Sequence, residues 1–192
     1  MRRLVVSEFL TADGVMDGPG GDVGAPRQGW AFQFDRGDDG NKFKLDELMA
    51  SDALLLGRVT YEGFAAAWPG RTDEYGFADK FNSMPKYVVS STFTEPLAWN
   101  NSHLIKGDLV AEVTNLKQQD GGDIMVNGSA RLVQALADAD LVDVYRLMVF
   151  PTILGAGKRL FADTRAAMPL RLVEVAPVGS DGVMTVVYER AR

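Results

Sequence analysis

The feature that most limits what this chain can fold into is the stretch SDALLLGRVTYE at residues 51–62. Its apolar run, 53–56, is short and continuous, which is typical of a strand that is buried on both faces of a sheet. Gly57 follows directly and permits a tight turn with exposed backbone. Arg58 and the first amides of a helix over 59–67 then offer a fixed charge and unpaired donors, a combination that binds phosphate. An ordinary strand–helix turn with a solvated arginine explains the same spacing equally well.

The rest of the chain alternates between short apolar or β-branched runs and segments with helical periodicity. The predicted strands lie at 4–9, 53–57, 86–90, 102–105, 123–126, 142–150, 171–175 and 183–189. The predicted helices lie at 41–50, 59–67, 74–81, 109–116 and 129–138, the last two capped by Asp108 and Ser129. This order predicts an α/β fold with a mainly parallel central sheet, helices on both faces and an antiparallel pair of strands at the C-terminus.

Composition excludes several classes of protein. The 192 residues suit a single domain over 1–192, and the formal charge of −6 argues against nucleic-acid binding and anionic membranes. The chain has no cysteine and one histidine, so we expect no disulfide, no thiol catalysis and no metal site. No G-x-S-x-G motif accompanies His103, which is interpreted as a partly buried residue at a strand end. We find neither a signal peptide nor a membrane span, and expect a cytoplasmic protein.

Three polar segments follow predicted strands of the sheet, where open α/β sheets bind ligands. They are Gly57 to Thr60, the hydroxyl cluster Ser90, Ser91 and Thr92, and the turn Asn127, Gly128, Ser129 and Ala130. Two helix N-termini and a hydroxyl cluster suit the diphosphate and the ribose phosphate of a dinucleotide. The chain has no G-x-G-x-x-G motif, so this is not a Rossmann site. The LGAGK run at 154–158 is not a P-loop, because Thr152 stands where the first glycine belongs and Arg159 follows the lysine.

Two further segments remain open to alternative interpretations. The glycine-rich loop 17–29 is long enough to be a lid over a site, and an ordinary surface loop is an equal alternative. Trp30, Phe32 and Phe34 after it suit a short strand, a pocket wall or core packing. The acidic residues between Asp35 and Glu47 are interpreted as a solvated helix N-terminus.

Four motifs carry a resemblance to a known family: GRVTYE, KYVVSST, DIMVNGSARLVQAL and LVDVYRLMVFPTILGAGKRLF, in that order. With them nearly the whole chain resembles the dihydrofolate reductase-like superfamily. The most similar branch is the reductase domain of the bifunctional riboflavin-biosynthesis deaminase-reductase. The resemblance implies a three-layer fold with about eight strands, NADPH as the cofactor, and a homodimer.

The resemblance also implies roles for single residues. Arg58 and Thr60 would contact cofactor phosphates, the cluster at 90–92 would lie near the adenosine ribose phosphate, and 128–130 would hold the diphosphate. Asp39 and Asp13 are the candidate catalytic carboxylates. The candidate pocket residues are Trp30, Tyr61 and Trp68.

These expectations predict an NADPH-dependent reductase that transfers hydride to a C=N or C=O carbon of a flat, pterin- or pyrimidine-like substrate. The alternative is a nucleotide-binding regulatory or sensor module that keeps the cofactor cradle without turnover.

Overall fold

The computed structural model describes residues 1–20, 27–161 and 167–191. The strands are β1 (Leu4–Thr11), β2 (Ser51–Gly57), β3 (Lys86–Val89), β4 (Ser102–Ile105), β5 (Asp123–Val126), β6 (Val144–Phe150), β7 (Leu170–Val178) and β8 (Val183–Arg190). The helices are α1 (Gly37–Met49), α2 (Arg58–Ala67), α3 (Phe77–Ser83), α4 (Leu109–Gln118) and α5 (Ala130–Asp138), with a short 3₁₀ helix at Trp30–Gln33.

All eight strands form one sheet in the order β4-β3-β2-β5-β1-β6-β8-β7. The first six of these strands pair in parallel, and β8 pairs antiparallel with both β6 and β7. Helices cover both faces of the sheet, as the alternate residues of β2 show by packing in different hydrophobic clusters. Leu55 packs on the side of α4 and α5, whereas Leu54 and Leu56 pack on the side of α1 to α3. The predicted fold class is confirmed.

The segment before β2 differs in part from its prediction. Helix α1 begins at Gly37 rather than at 41, and Trp30–Gln33 forms a 3₁₀ helix. Of the three alternatives for the aromatic residues, core packing holds for Trp30 and Phe34, the strand is not formed, and Phe32 is 72% exposed. The buried side of α1 carries Phe43 and Glu47 with Leu48, while Met49 is 46% exposed. The sequence pattern missed this side because a glutamate occupies one of its inward positions.

The crossing from one face of the sheet to the other locates the cleft of the fold. From β2 the chain continues into α2 on one face, and from the neighbouring β5 it continues into α5 on the opposite face. Adjacent parallel strands whose helices leave on opposite faces open a crevice at their carboxyl ends. Among the described helices, none combines the length and apolar character needed to cross a membrane.

Candidate functional site

The turns that follow β2 and β5 touch each other at the carboxyl edge of the sheet. The amide of Gly57 donates a hydrogen bond to the carbonyl oxygen of Gly128 at 3.0 Å. A Cβ atom added to Gly57 would lie 2.1 Å from Ser129 Oγ and 2.9 Å from the Ser129 nitrogen. Glycine is therefore required at position 57 by the closeness of the two turns. The predicted segments 57–60 and 127–130 are brought together as one feature, which we call the cradle.

The helices that leave the cradle begin without side-chain caps. Gly57 and Ser129 are the N-cap residues of α2 and α5, and neither makes a side-chain capping hydrogen bond. By contrast, Asp108 caps α4 by accepting hydrogen bonds from the amides of Val110 and Ala111, as predicted. Ser129 holds its predicted N-cap position, but its side chain does not cap the helix. Two helix N-termini thus meet at one place with donors suited to anionic oxygens.

Arg58 and Thr60 lie on the α2 side of the cradle. The Arg58 side chain is 45% exposed, and its Nη1 donates to Glu62 Oε2 at 2.8 Å, one helical turn away. Thr60 Oγ1 lies 2.9 Å from the position of a Cβ added to Gly128, whose φ is +96°. The threonine hydroxyl therefore reaches across to the second turn, and the arginine lies at the solvent side.

The hydroxyl cluster lies at the end of β3, which is the neighbour of β2 in the sheet. Ser90 is buried, and its Oγ accepts hydrogen bonds from the amides of Thr92 at 3.2 Å and Phe93 at 3.1 Å. Ser91 and Thr92 are exposed. Ser90 therefore shapes the turn, and its Oγ also lies within hydrogen-bond distance, 3.3 Å, of Thr92 Oγ1.

Asn127 joins the cradle to β1. Its Nδ2 donates to the backbone oxygen of Ser7 at 3.1 Å, while its Oδ1 is buried and has no hydrogen-bond partner among the described residues. Ala130 is 4% exposed in the first turn of α5. The parallel pairing of β1 with β5 ends at Val6, so the rest of β1 runs past the cradle as its next wall.

Asp13 follows β1 and holds the loop that follows β6. Its carboxylate accepts hydrogen bonds from Thr11 Oγ1 at 2.6 Å, Gly155 N at 2.9 Å and Leu154 N at 3.3 Å. The Thr11 hydroxyl and then the loop amides hold the pKa of Asp13 below its usual value, so the carboxylate is ionised at neutral pH. The start of the loop 154–158 is thus fixed by a carboxylate.

The other candidate carboxylate, Asp39, is exposed in the first turn of α1.

Of the predicted lid 17–29, residues 21–26 lie outside the described residues. The base of that loop is closed by a hydrogen bond of 2.8 Å from the amide of Gly29 to the carbonyl oxygen of Gly18.

The three aromatic candidates for the pocket lie in packing clusters. Trp30 is 3% exposed, and its ring centroid is 5.3 Å from that of Phe150. Tyr61 is 3% exposed, and its hydroxyl accepts a hydrogen bond from the amide of Trp99 at 2.8 Å. Trp68 packs against Phe81 at 4.4 Å between ring centroids. The structure does not bring the three together, and their assignment to a substrate pocket stays a prediction.

Sequence reasoning missed a buried polar network between α1 and the sheet. Glu47 is 5% exposed and is bonded to Ser7 of β1, to Lys44 and, at 3.1 Å, to Arg146 Nε of β6. Its interpretation as part of a solvated helix N-terminus is wrong, because it lies in the last turns of α1 facing β1 and β6. The sequence did contain a signal of this burial. The spacing of Lys44 and Glu47 from the apolar Phe43 places all three residues on adjoining positions of one side of the helix.

His103 also differs from its prediction. It is exposed within β4 and stacks on Tyr87 with 5.5 Å between ring centroids, far from a catalytic arrangement. Within the described ranges no group of three or more histidine or acidic side chains could hold a metal ion.

Comparison with known proteins agrees with this architecture. The model of the RibD C-terminal domain family matches residues 2–184. The uncharacterised protein YyaP of Bacillus subtilis (strain 168) is 30% identical over 190 residues, which cover 97% of this chain and 94% of YyaP. A crystal structure from Shewanella sp. PV-4, of a protein provisionally assigned to riboflavin biosynthesis, superposes with a TM-score of 0.79 at 22% identity and 99% coverage of both chains. Dihydrofolate reductase from Enterococcus faecalis, complexed with NADP(H), gives a TM-score of 0.64 at 16% identity, covering 99% of this chain and 97% of the other.

Proposed function

Because the chain belongs to the RibD C-terminal domain family, we propose that it is an NADPH-dependent reductase acting on a small conjugated substrate. One observation carries the proposal most directly: the uncapped N-termini of α2 and α5 meet where Gly57 and Gly128 are hydrogen-bonded. Backbone donors and two helix dipoles that converge on one point suit a diphosphate.

The residues around the cradle fit the remaining parts of NADPH. The amides that begin α2 and α5 would bind the diphosphate, and Thr60 would add a hydroxyl donor. Arg58, with the exposed hydroxyls of Ser91 and Thr92, would bind the ribose phosphate that distinguishes NADPH from NADH. The nicotinamide, when bound, supplies a hydride. The protein's part is to bind and orient both reactants and to exclude water.

Reduction of a C=N or C=O bond also needs a proton on the heteroatom. A carboxylic acid or an ordered water would provide it. Asp13 is ionised and bonded to the loop amides, so we assign it first to holding the loop 154–158 at the rim of the cleft. If Asp13→Asn or Asp39→Asn lowers turnover without changing NADPH affinity, that carboxylate takes part in the proton transfer.

Because the Asp13 carboxylate is bonded to the loop, a second candidate function is a sensor module that binds the nucleotide without turnover. The two functions share NADPH binding and differ in its consumption. A screen of quinoid pterins, pyrimidines and other conjugated imines, followed by the loss of the absorbance of the reduced nicotinamide, separates them. Substrate-dependent oxidation supports the reductase, whereas tight binding with no oxidation across the screen favours the sensor.

We also propose a homodimer formed by the outer part of the sheet. On one face of the last three strands, nine paired positions carry apolar or aromatic side chains, and the face ends in Arg190, which pairs with Leu170. Leu172, Val175 and Met184 are 42–51% exposed, whereas Tyr145 and Leu147 are buried. The nine positions are Tyr145, Leu147, Val149, Leu172, Val175, Pro177, Met184, Val186 and Tyr188. The exposed apolar side chains of this face are complementary to the same side chains of a second copy related by a two-fold axis. Light scattering on the full chain should give twice the mass of one chain, and Val175→Glu should give the mass of one.

We expect the enzyme to act in the reducing cytoplasm, with which its lack of cysteine is compatible.

A further inference from the structure

The N-cap residue of α1 and one side of the helix present two cations to the same aromatic ring of β1. Arg36, Gly40 and Lys44 follow each other at intervals of four residues, so they lie in a row along the helix. Arg36 Cζ lies 5.5 Å and Lys44 Nζ lies 4.9 Å from the centroid of the Phe9 ring. Gly40 lets the Arg36 side chain pack closely on the helix, because a Cβ atom there would lie only 2.9 Å from Arg36 Cβ and 3.3 Å from Val178 Cγ2.

A third cation adjoins this row from the sheet. Arg146 of β6 places its Cζ 4.2 Å from the centroid of Phe43 and donates through Nε to Glu47. We call Arg36, Lys44 and Arg146 the cationic cluster. The side chains of Lys44 and Arg146 are 13% and 24% exposed, so both are mostly buried and keep a small solvent-accessible part.

The charges of the cationic cluster are not balanced. Glu47 pairs with both Lys44 and Arg146, so one carboxylate serves two cations. Arg36 has no carboxylate partner among the described residues, and its Nε donates instead to the neutral Asn41 Oδ1 at 2.8 Å. The adjacent Asp35 is occupied, because it accepts from Gly37 N at 2.8 Å and Ser180 Oγ at 2.9 Å. Partial burial of an unbalanced guanidinium costs free energy that a bound anion offsets.

The cationic cluster borders the cradle without being part of it. Ser7 accepts a side-chain hydrogen bond from Lys44, while its backbone oxygen accepts from Asn127 of the cradle. Phe9 lies two residues further along β1, on the part of the strand that extends past β5. A molecule lying beside β1 at the cradle would therefore reach Lys44 and Arg36 at its far end.

We propose that the cationic cluster is a subsite for an anionic group, carboxylate or phosphate, of the substrate. The proposal rests on the proposed reductase function and concerns its substrate side. It assigns Arg36 and Lys44 to direct contact with the anion. Arg146 and Glu47 hold Lys44 in place.

The test uses small aromatic anions as probes on the full-length protein saturated with NADP⁺, which occupies the cradle. Benzoate and phenyl phosphate are titrated against their neutral counterpart benzamide, and amide chemical shifts of Ser7, Phe9 and Lys44 report binding. We expect saturable shifts with at least one anion and none with benzamide. The tighter of the two anions identifies whether the natural group is a carboxylate or a phosphate.

Variants locate the effect. Arg36→Gln removes the cation that has no carboxylate partner, and we expect it to weaken anion binding about tenfold. Lys42→Gln is the matched control, since Lys42 lies on the outer side of the same helix, 70% exposed and paired with Asp46 at 2.6 Å. It should change the anion affinity less than twofold. Because Arg36 lies outside the network of Glu47, its variant keeps the test valid even if Lys44→Gln fails to fold.

The absence of saturable shifts with either anion, or equal affinities in the two variants, would overturn the subsite. Failure of NADP⁺ to bind would instead contradict the proposed function. In that case the titration is repeated without NADP⁺ on the Arg58→Gln variant, in which anion binding at the cradle is weakened. This titration still decides whether the cationic cluster binds anions.

Discussion

The replacement Arg58→Gln tests the cradle at its most exposed contact. The guanidinium is bound in the structure to Glu62 at 2.8 Å, and the two side chains are 45% and 48% exposed. Such an exposed pair on a helix contributes about 0.3–0.5 kcal/mol. A charge-assisted hydrogen bond to phosphate contributes roughly 1.5–3 kcal/mol. The phosphate therefore outcompetes Glu62 when NADPH binds.

The expected loss of binding is the difference between these two contributions, about 1–2.5 kcal/mol, which raises the Kd for NADPH by about 5- to 70-fold. Glu62→Gln should have the opposite effect and lower the Kd about twofold, because Arg58 no longer has to leave its partner. The sign of this second change distinguishes a competing carboxylate from one that positions the arginine.

Isothermal titration calorimetry with NADPH measures all of these variants. Arg71→Gln is the control for lost charge, because Arg71 lies beyond the C-terminus of α2 and packs on Trp68, with its Cζ 5.0 Å from the ring centroid. It should leave the Kd within twofold of the original. An Arg58→Gln protein that binds NADPH as tightly as the Arg71→Gln protein would refute the assignment of Arg58 to the cofactor.

Three further predictions concern the cradle and the core. Gly57→Ala places a Cβ 2.1 Å from Ser129 Oγ and should abolish the thermal stabilisation by NADPH, while Gly63→Ala, with nothing within 4 Å, should retain it. Tyr145→Phe removes a buried hydroxyl that has no hydrogen-bond partner within the described chain, and urea denaturation should show a gain of about 1 kcal/mol; a loss would mean that the hydroxyl is satisfied. Burial lowers the pKa of Lys86 from 10.5 to about 8. The unfolded chain therefore binds more protons between these values, and the free energy of unfolding should rise by about 2 kcal/mol from pH 8 to pH 10, a rise that Lys86→Met should remove.

The local parts of the fold were predictable because each is determined by neighbouring residues. The run 53–56 is apolar at every position, as is typical of a strand that is covered on both faces. The strand β2 ends at the predicted residue, Gly57. Asp108 caps α4 through the predicted type of hydrogen bond. The insertion of β5 between β2 and β1 was not predictable, since strand order depends on contacts between distant segments.

Only part of the candidate site was predictable, because neighbouring residues determine each turn but not the contact between the two turns. Segments 57–60 and 127–130 carry turn residues that mark them as strand–helix junctions, but their contact through Gly57 and Ser129 is visible only in the structure. The buried Glu47 was misjudged because its burial is compensated by Arg146, a residue of β6 about a hundred positions away. A charged residue on a helix is exposed by default, and only the partner from another element shows otherwise.

The most direct test of cofactor binding is a calorimetric titration of the purified full chain with NADPH and, separately, with NADH. We expect saturable binding of NADPH with a Kd at least about tenfold below that of NADH, because Arg58 and the hydroxyls after β3 would contact the additional phosphate. Equal affinity for the two would contradict the assignment of those residues. No binding of either would show that the chain has the reductase fold without its cofactor site.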